Sequence, residues 1–223
     1  MLPIGDDNSH RRITPLVTWS LVLINVIVFL FELTLGEEFI YSWSFIPARF
    51  IQDPVGNFIT LFTSMFMHAG WLHIGSNMLY LLIFGDNVED LFGHFKFLVF
   101  YLMCGVIAMA AQFLAAPYVN IPNLGASGAI AGVLGAYLVL FPRRRVRVLL
   151  SWFVVPMPAI IVIGVWILLQ LFSGFGSMST SGASTGGVAY MAHIGGFIAG
   201  LILSFFFRGR KRALPPPATY GQM

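Results

Sequence analysis

Ser127-Gly-Ala-Ile-Ala-Gly-Val-Leu-Gly-Ala-Tyr137 carries small residues at every fourth position in two registers: Ser127, Ala131, Gly135 and Gly128, Gly132, Ala136. Further along, Ala192-His-Ile-Gly-Gly-Phe-Ile-Ala-Gly200 repeats the spacing with Ala192, Gly196 and Gly200. In lipid, small-xxx-small stripes let two helix backbones approach closely, because no large side chain holds them apart. The two segments therefore read as membrane helices that pack tightly. One begins with a hydroxyl and the other carries an imidazole beside its stripe.

The composition agrees with a bilayer as solvent. Of 223 residues, 58% are apolar, 15% aromatic and only 9% charged. A soluble domain carries about 25% charged residues. Mean hydropathy is +0.85, and several apolar runs approach the ~20 residues that cross a hydrocarbon core. These values exclude a disordered chain, a collagen-like fibre and a disulfide scaffold. Net charge is +3, with basic residues gathered at segment ends, so nucleic acid is not an expected partner. Cys104 is the single cysteine, which removes intrachain disulfides and thiolate zinc sites. No early apolar run ends in an A-x-A-like cleavage site, so the first one reads as a retained helix.

Six spanning helices are expected, at about 16–35, 71–85, 95–115, 127–141, 149–172 and 188–207, with Pro156 and Pro158 kinking the fifth. Eleven of the twelve basic residues fall on one side of this arrangement, and Arg49 alone on the other. The positive-inside bias then puts both termini in the cytoplasm, as an even helix count requires. The chain divides into a short cytoplasmic segment (1–14), a six-helix domain (15–208) and a basic, Pro-rich tail (209–223) that reads as disordered. Residues 36–58, with Phe39, Tyr41, Trp43, Phe45 and Phe50, read as an amphipathic loop in the interface. Residues 173–187 hold ten Gly or Ser in fifteen positions and read as a flexible flap.

Polar side chains at membrane depth are expensive, so each is a functional candidate. They are Glu32, His68, His73, Asn77, Gln112, Ser127, Gln170 and His193. Ser127 lies sixteen residues before Arg143, and His193 fifteen before Arg208. At 1.5 Å per residue both stand about 22–24 Å above the inner boundary. Glu89, sixteen residues after His73, gives that histidine a similar height. Serine is a weak nucleophile without a base, and histidine serves as one near neutral pH. No acid is evident behind the imidazole, so the expectation is a Ser127–His193 dyad. The backbone N–H of Ser127, together with His73 and Asn77 on one helix face, supplies oxyanion donors. Taken singly, each residue has a plainer reading. Ser127 caps a helix, His193 is a buried structural histidine, and His73 and Asn77 are interhelical glue. His68 is an interfacial residue or an orienting neighbour, and Gln112 and Gln170 are packing residues.

These motifs together resemble the rhomboid family of intramembrane serine proteases over nearly the whole chain, from about Leu16 to Phe207. Gly125-Ala126-Ser127-Gly128 looks like the family's GxSG motif, and Ala192-His193-Ile194-Gly195-Gly196 like its histidine motif. His68, His73 and Asn77 match its histidine–histidine–asparagine pattern, while Phe45-Ile46-Pro47 and Glu89 to Gly93 are also similar. The resemblance implies an all-α, six-helix rhomboid-like bundle. In it Ser127 is the nucleophile, His193 the base, and His73 and Asn77 complete the oxyanion hole. It implies hydrolysis of single-pass transmembrane substrates near their extracytoplasmic end. Such substrates enter laterally from the lipid past the fifth helix and the 173–187 flap. No cofactor and no metal are expected. The simplest home is a prokaryotic plasma membrane, with the site open to the extracytoplasmic side. Some members carry an aromatic one turn after the nucleophile. Here Ala131 stands there, and Tyr190 is the expected substitute. Two rivals differ in kind: a non-proteolytic rhomboid-like chaperone or adaptor, which would lack the dyad, and a small transporter, which would more often show internal repeats or a midplane carboxylate.

Overall fold

An apolar run in lipid must satisfy its backbone within itself, so it forms a helix until glycine, proline or a polar break intervenes. The computed structural model describes residues 1–9, 11–179 and 189–208. In chain order they form β1 (Leu2–Asp6), α1 (Leu16–Trp43), α2 (Pro47–Gln52), α3 (Thr60–Thr63) and a 3-10 turn (Ser64–Phe66). Then follow α4 (Trp71–Phe92), α5 (His94–Ala115), α6 (Ser127–Leu140), β2 (Arg145–Leu150), β3 (Phe153–Pro158), α7 (Ala159–Ser179) and α8 (Tyr190–Phe207). By length and composition, α1, α5 and α8 can each cross a membrane, while α6 and the Ala159–Gly174 part of α7 are shorter apolar helices. Phe84, Phe97, Phe100, Tyr101, Leu134 and Tyr137 are fully buried between the helices.

The central contact is between α6 and α8, along the two small-residue stripes. A Cβ built on Gly196 would collide with the carbonyl oxygen of Gly128, and one on Gly200 with that of Gly132. On the facing helix, a Cβ on Gly135 would collide with the Phe197 carbonyl. The two backbones therefore touch directly, and only hydrogen fits at these positions. This seam sets both the separation and the register of the two helices.

The acidic end of α4 is explained by the start of α1. Pro15 precedes α1 and offers no side-chain cap. Glu89 instead reaches across and accepts from Val17 N–H (2.9 Å), Thr18 N–H (2.7 Å) and the Thr18 hydroxyl (2.6 Å). Asp90 accepts from the N–H groups of Arg12 and Ile13, and Asp86 pairs with Arg11 at 2.9 Å. Orphan amides at a helix N-terminus and the positive end of its dipole are thus met by carboxylates from another helix.

Three sequence expectations change. The fifth helix does not begin near residue 149. Residues 145–158 form a hairpin, and β1 adds to it in an antiparallel sheet ordered β1-β2-β3. The alternation Arg145-Val-Arg-Val148 buries Val146 and Val148 and exposes the arginines, a period of two that fits a strand. Pro156 and Pro158 sit in β3, and α7 starts just after them, its first N–H groups donating to Arg144 and Pro142 carbonyls. Second, α7 runs through Ser179, so the first part of the 173–187 flap is helical, and residues 180–188 lie outside the described residues. Third, the 36–58 segment is not one loop, since α1 continues to Trp43 and α2 covers Pro47–Gln52. Gly36, with φ +73°, breaks α1, and Phe45 and Ile46 beyond it are buried. Phe45 exchanges backbone hydrogen bonds with Asn123 (3.2 and 2.8 Å), which ties this loop to the one before α6.

The sheet is latched to the bundle by Asp6. Its Oδ2 accepts from Tyr137 Oη at 2.6 Å and from Asn87 Nδ2 at 2.7 Å, while Asn87 Oδ1 accepts from the Arg144 guanidinium. Burial raises the Asp6 carboxyl to about pKa 6, against the lowering effect of the Tyr137 hydrogen bond. An acid whose folded pKa exceeds its unfolded value stabilises the fold less as pH rises through that interval.

Gly196→Val should lower the thermal midpoint in detergent, overpacking of this kind costing about 1–3 kcal/mol or more. Gly164→Val should be far milder, because nothing lies within 4 Å of a Cβ at that position. In a pH series of thermal unfolding, wild type should lose stability between pH 4 and 6, the Asp6 contribution being up to about 3 kcal/mol. Asp6→Asn should lack that decline. A loss of equal size at pH 4 and 7.5 in the Asp6→Asn variant would show that the hydrogen bonds outweigh the burial cost.

Candidate active site

The hydroxyl at the head of α6 is not a cap. Ala126 occupies the N-cap position with helical φ and ψ, and it makes no side-chain capping bond. Ser127 is the first residue of the helix, and its Oγ lies 2.7 Å from His193 Nε2 on α8. The glycine seam produces this contact, since helices with bulkier facing residues would hold the two groups apart. The other imidazole nitrogen, Nδ1, lies 2.7 Å from Gln170 Oε1 on α7. Trp166, one turn earlier on α7, has its ring centroid 5.9 Å from that of His193. The ring against the imidazole is thus Trp166 rather than Tyr190. Both Ser127 and His193 are half-buried.

α8 is held at this level by α5. Gln112 Oε1 accepts from Ala192 N–H at 3.3 Å, meeting an orphan amide in the first turn of α8, next to His193. Gln112 and Gln170, expected as packing residues, are therefore hydrogen-bond partners of the histidine's helix and of its ring.

The loop ahead of α6 leaves a space beside Ser127. Gly125 has φ +126°, a region L side chains rarely adopt, and its N–H donates to Ser64 C=O at 2.9 Å. A Cβ at Gly125 would stand 2.8 Å from His73 Nε2 and 3.6 Å from Ser127 Oγ. The absent side chain thus leaves a small volume with the Ser127 hydroxyl on one side and His73 on the other. His73 Nδ1 accepts from Ala69 N–H at 3.3 Å. In the neutral ring the proton then sits on Nε2, the nitrogen that faces this volume.

The structure thus brings Ser127, His193 and His73 together. Asn77 is buried one helical turn further along α4, and its Nδ2 has no hydrogen-bond partner among the described residues. His68 is buried against His73, ring centroids 5.1 Å apart, and neither of its ring nitrogens is hydrogen-bonded among the described residues. Its backbone N–H donates to both Glu32 carboxylate oxygens at 3.0 and 3.1 Å. Glu32, which the sequence left without a contact, does not back His193. It fixes the loop that leads into α4 and His73. In the sequence Gln170 and Trp166 are marked only by their i, i+4 spacing and by an amide in an otherwise apolar run, which names no partner.

Residues 55–210 match the rhomboid domain model. The chain belongs to the rhomboid family. Its apolar helices and this membership make it an integral membrane protein. This rhomboid is 29% identical to "Rhomboid protein 1, mitochondrial" of Saccharomyces cerevisiae over 197 residues, 85% of this chain and 53% of that one. It is 33% identical to "Rhomboid protease GluP" of Bacillus subtilis over 167 residues, 75% of this chain and 28% of that protein. Against "Putative rhomboid protease YdcA" of Bacillus subtilis it is 26% identical over 202 residues, 90% and 92% of the two chains. The rhomboid thus spans about half the length of the first of these relatives and just over a quarter of the second.

Proposed function

We propose that this rhomboid is an intramembrane serine endopeptidase that cuts single-pass transmembrane proteins near their extracytoplasmic end. The observation that carries this reading is the 2.7 Å contact between Ser127 Oγ and His193 Nε2. That is the hydrogen-bond distance a nucleophile and its base require. Relatives named as rhomboid proteases support it.

The chemistry proceeds by acyl transfer. The Ser127 hydroxyl gives its proton to His193 Nε2 as Oγ bonds to the scissile carbonyl carbon, and the carbonyl oxygen becomes an oxyanion. The C–N bond then breaks, and the His193 imidazolium returns the proton to the leaving amine. A water adds to the acyl-enzyme with His193 again as base, which releases the new carboxyl terminus and restores Ser127. The space over Gly125 suits the oxyanion. His73 Nε2–H faces it, the Ser127 N–H opens a helix beside it, and the buried, unpaired Asn77 Nδ2 supplies a third donor. No cofactor or metal enters this scheme.

In this reading six helices span the membrane, with both termini and the β1-β2-β3 sheet on the cytoplasmic side. That places the exposed Arg143, Arg145 and Arg147 near anionic headgroups. Ser127 stands at the other end of α6, where an outward cavity delivers water. Substrates enter sideways from lipid between α4 and α7. Local unwinding exposes the scissile bond, which small or helix-breaking residues favour. A prokaryotic plasma membrane is the proposed location.

Two tests bear on this. A fluorophosphonate should label the wild type and not Ser127→Ala. Asn77→Ala should cut a transmembrane reporter about 10²–10³ times more slowly; unlabelled but folded wild type would instead favour a non-proteolytic adaptor. Separately, a cross-link between α4 and α7 should abolish cleavage of transmembrane reporters, and retained cleavage would move the entry route elsewhere.

A further inference from the structure

We propose that Gln170 is the positioning residue of His193: its amide carbonyl holds the proton on Nδ1, so that Nε2 is the basic nitrogen facing Ser127. This rests on the protease reading above. A neutral imidazole has one N–H and one lone pair, and its partners decide which nitrogen carries which. Gln170 Oε1 stands 2.7 Å from Nδ1, and an oxygen there only accepts, so Nδ1 must donate. Nε2 is then left with its lone pair directed at the Ser127 hydroxyl, 2.7 Å away. The reverse tautomer would set Nδ1's lone pair against the oxygen's and would make Nε2 a donor to Ser127 Oγ, unable to take its proton.

The neighbouring histidine shows the opposite arrangement. Ala69 N–H donates to His73 Nδ1, which sends the proton to Nε2. One backbone donor and one amide acceptor thus give two adjacent imidazoles opposite tautomers, one suited to donate and one to accept. His73 is the other titratable ring acting on His193, and the Trp166 ring stands beside the imidazole at a tilt of 42°, centroids 5.9 Å apart. Gln170 therefore takes the place that a carboxylate holds in a Ser-His-Asp triad, without introducing a charge.

The test is a comparison of Gln170→Met, which keeps length and loses the acceptor, with Gln170→Glu, which keeps the acceptor and adds charge. Loss of an orienting partner of this kind costs about 10- to 100-fold, and the Met variant should lose that much in kcat with little change in KM. The Glu variant should recover most of the rate. Its carboxylate favours the imidazolium, so the acidic limb of its pH–rate profile should move to higher pH. Independently of cleavage, ¹⁵N-histidine spectra of the full chain in detergent should show His193 protonated at Nδ1 in the wild type, with the signal assigned by its loss in His193→Gln. The same signal should shift toward a mixture in Gln170→Met. A wild-type His193 protonated on Nε2, or equal losses in the Met and Glu variants with an unmoved pH limb, would overturn the proposal. Undiminished cleavage by Ser127→Ala would overturn the protease reading instead, and the spectra would still decide the role of Gln170.

Discussion

Backbone against backbone, at Gly128, Gly132 and Gly135 on α6 and Gly196 and Gly200 on α8, is the contact on which the other distances depend. A hydrogen bond of 2.7 Å between two side chains as short as serine and histidine tolerates little error in helix separation. Lipid offers no hydrophobic force to pull helices together, so shape must do it. Glycine lets the carbonyl of one helix sit where the other's Cβ would be. That brings the helix axes close enough for a side chain near the start of each to meet. Gln112 fixes the height of α8, and Glu89 anchors the start of α1 against α4.

The polar groups at the site are few, and their partners divide the work. Burial in an apolar bundle makes each unpaired polar atom costly, yet Asn77 Nδ2 and both His68 ring nitrogens have no partner among the described residues. His73 lies on the side toward Gly125, where a backbone kinked into a positive φ leaves room, and Asn77 follows it one turn later on α4. His68 is bound through its main chain to Glu32, and its ring supports His73 by edge contact. A carboxylate is thus used for shape rather than for charge transfer.

Much of this was legible in the residues. The small-residue stripes identified the α6–α8 pair, and counting from the arginines put Ser127 and His193 at one height. The first helix reads as ending near 35, whereas α1 resumes beyond Gly36 and runs to Trp43. The helix starts near residues 16 and 127 were readable. The hairpin at 145–158 was not, since its apolar residues merge with those of α7 and its partner strand lies at the opposite end of the sequence. Over so short a stretch a period of two is outweighed by the apolar run that continues into α7. Gln170 and Trp166 were missed for another reason. An amide with no motif around it has no assigned direction until the helix carrying it is docked, and which face of α7 meets α8 is a tertiary fact.

The hairpin also fixes how α7 can move. Its first turn is bonded to the carbonyls of Pro142 and Arg144, and β3 runs directly into it. The helix is therefore a lever hinged at the sheet. Gln170 is eleven residues from the hinge, about 16 Å along the axis. At that radius a tilt of only about 10° sweeps roughly 3 Å, as long as the bond it makes to the imidazole. Opening a passage at the far end of the lever would therefore uncouple the histidine from its partner. If α7 swings as one rigid rod, the hydrogen bond between Gln170 and His193 exists only in the closed arrangement.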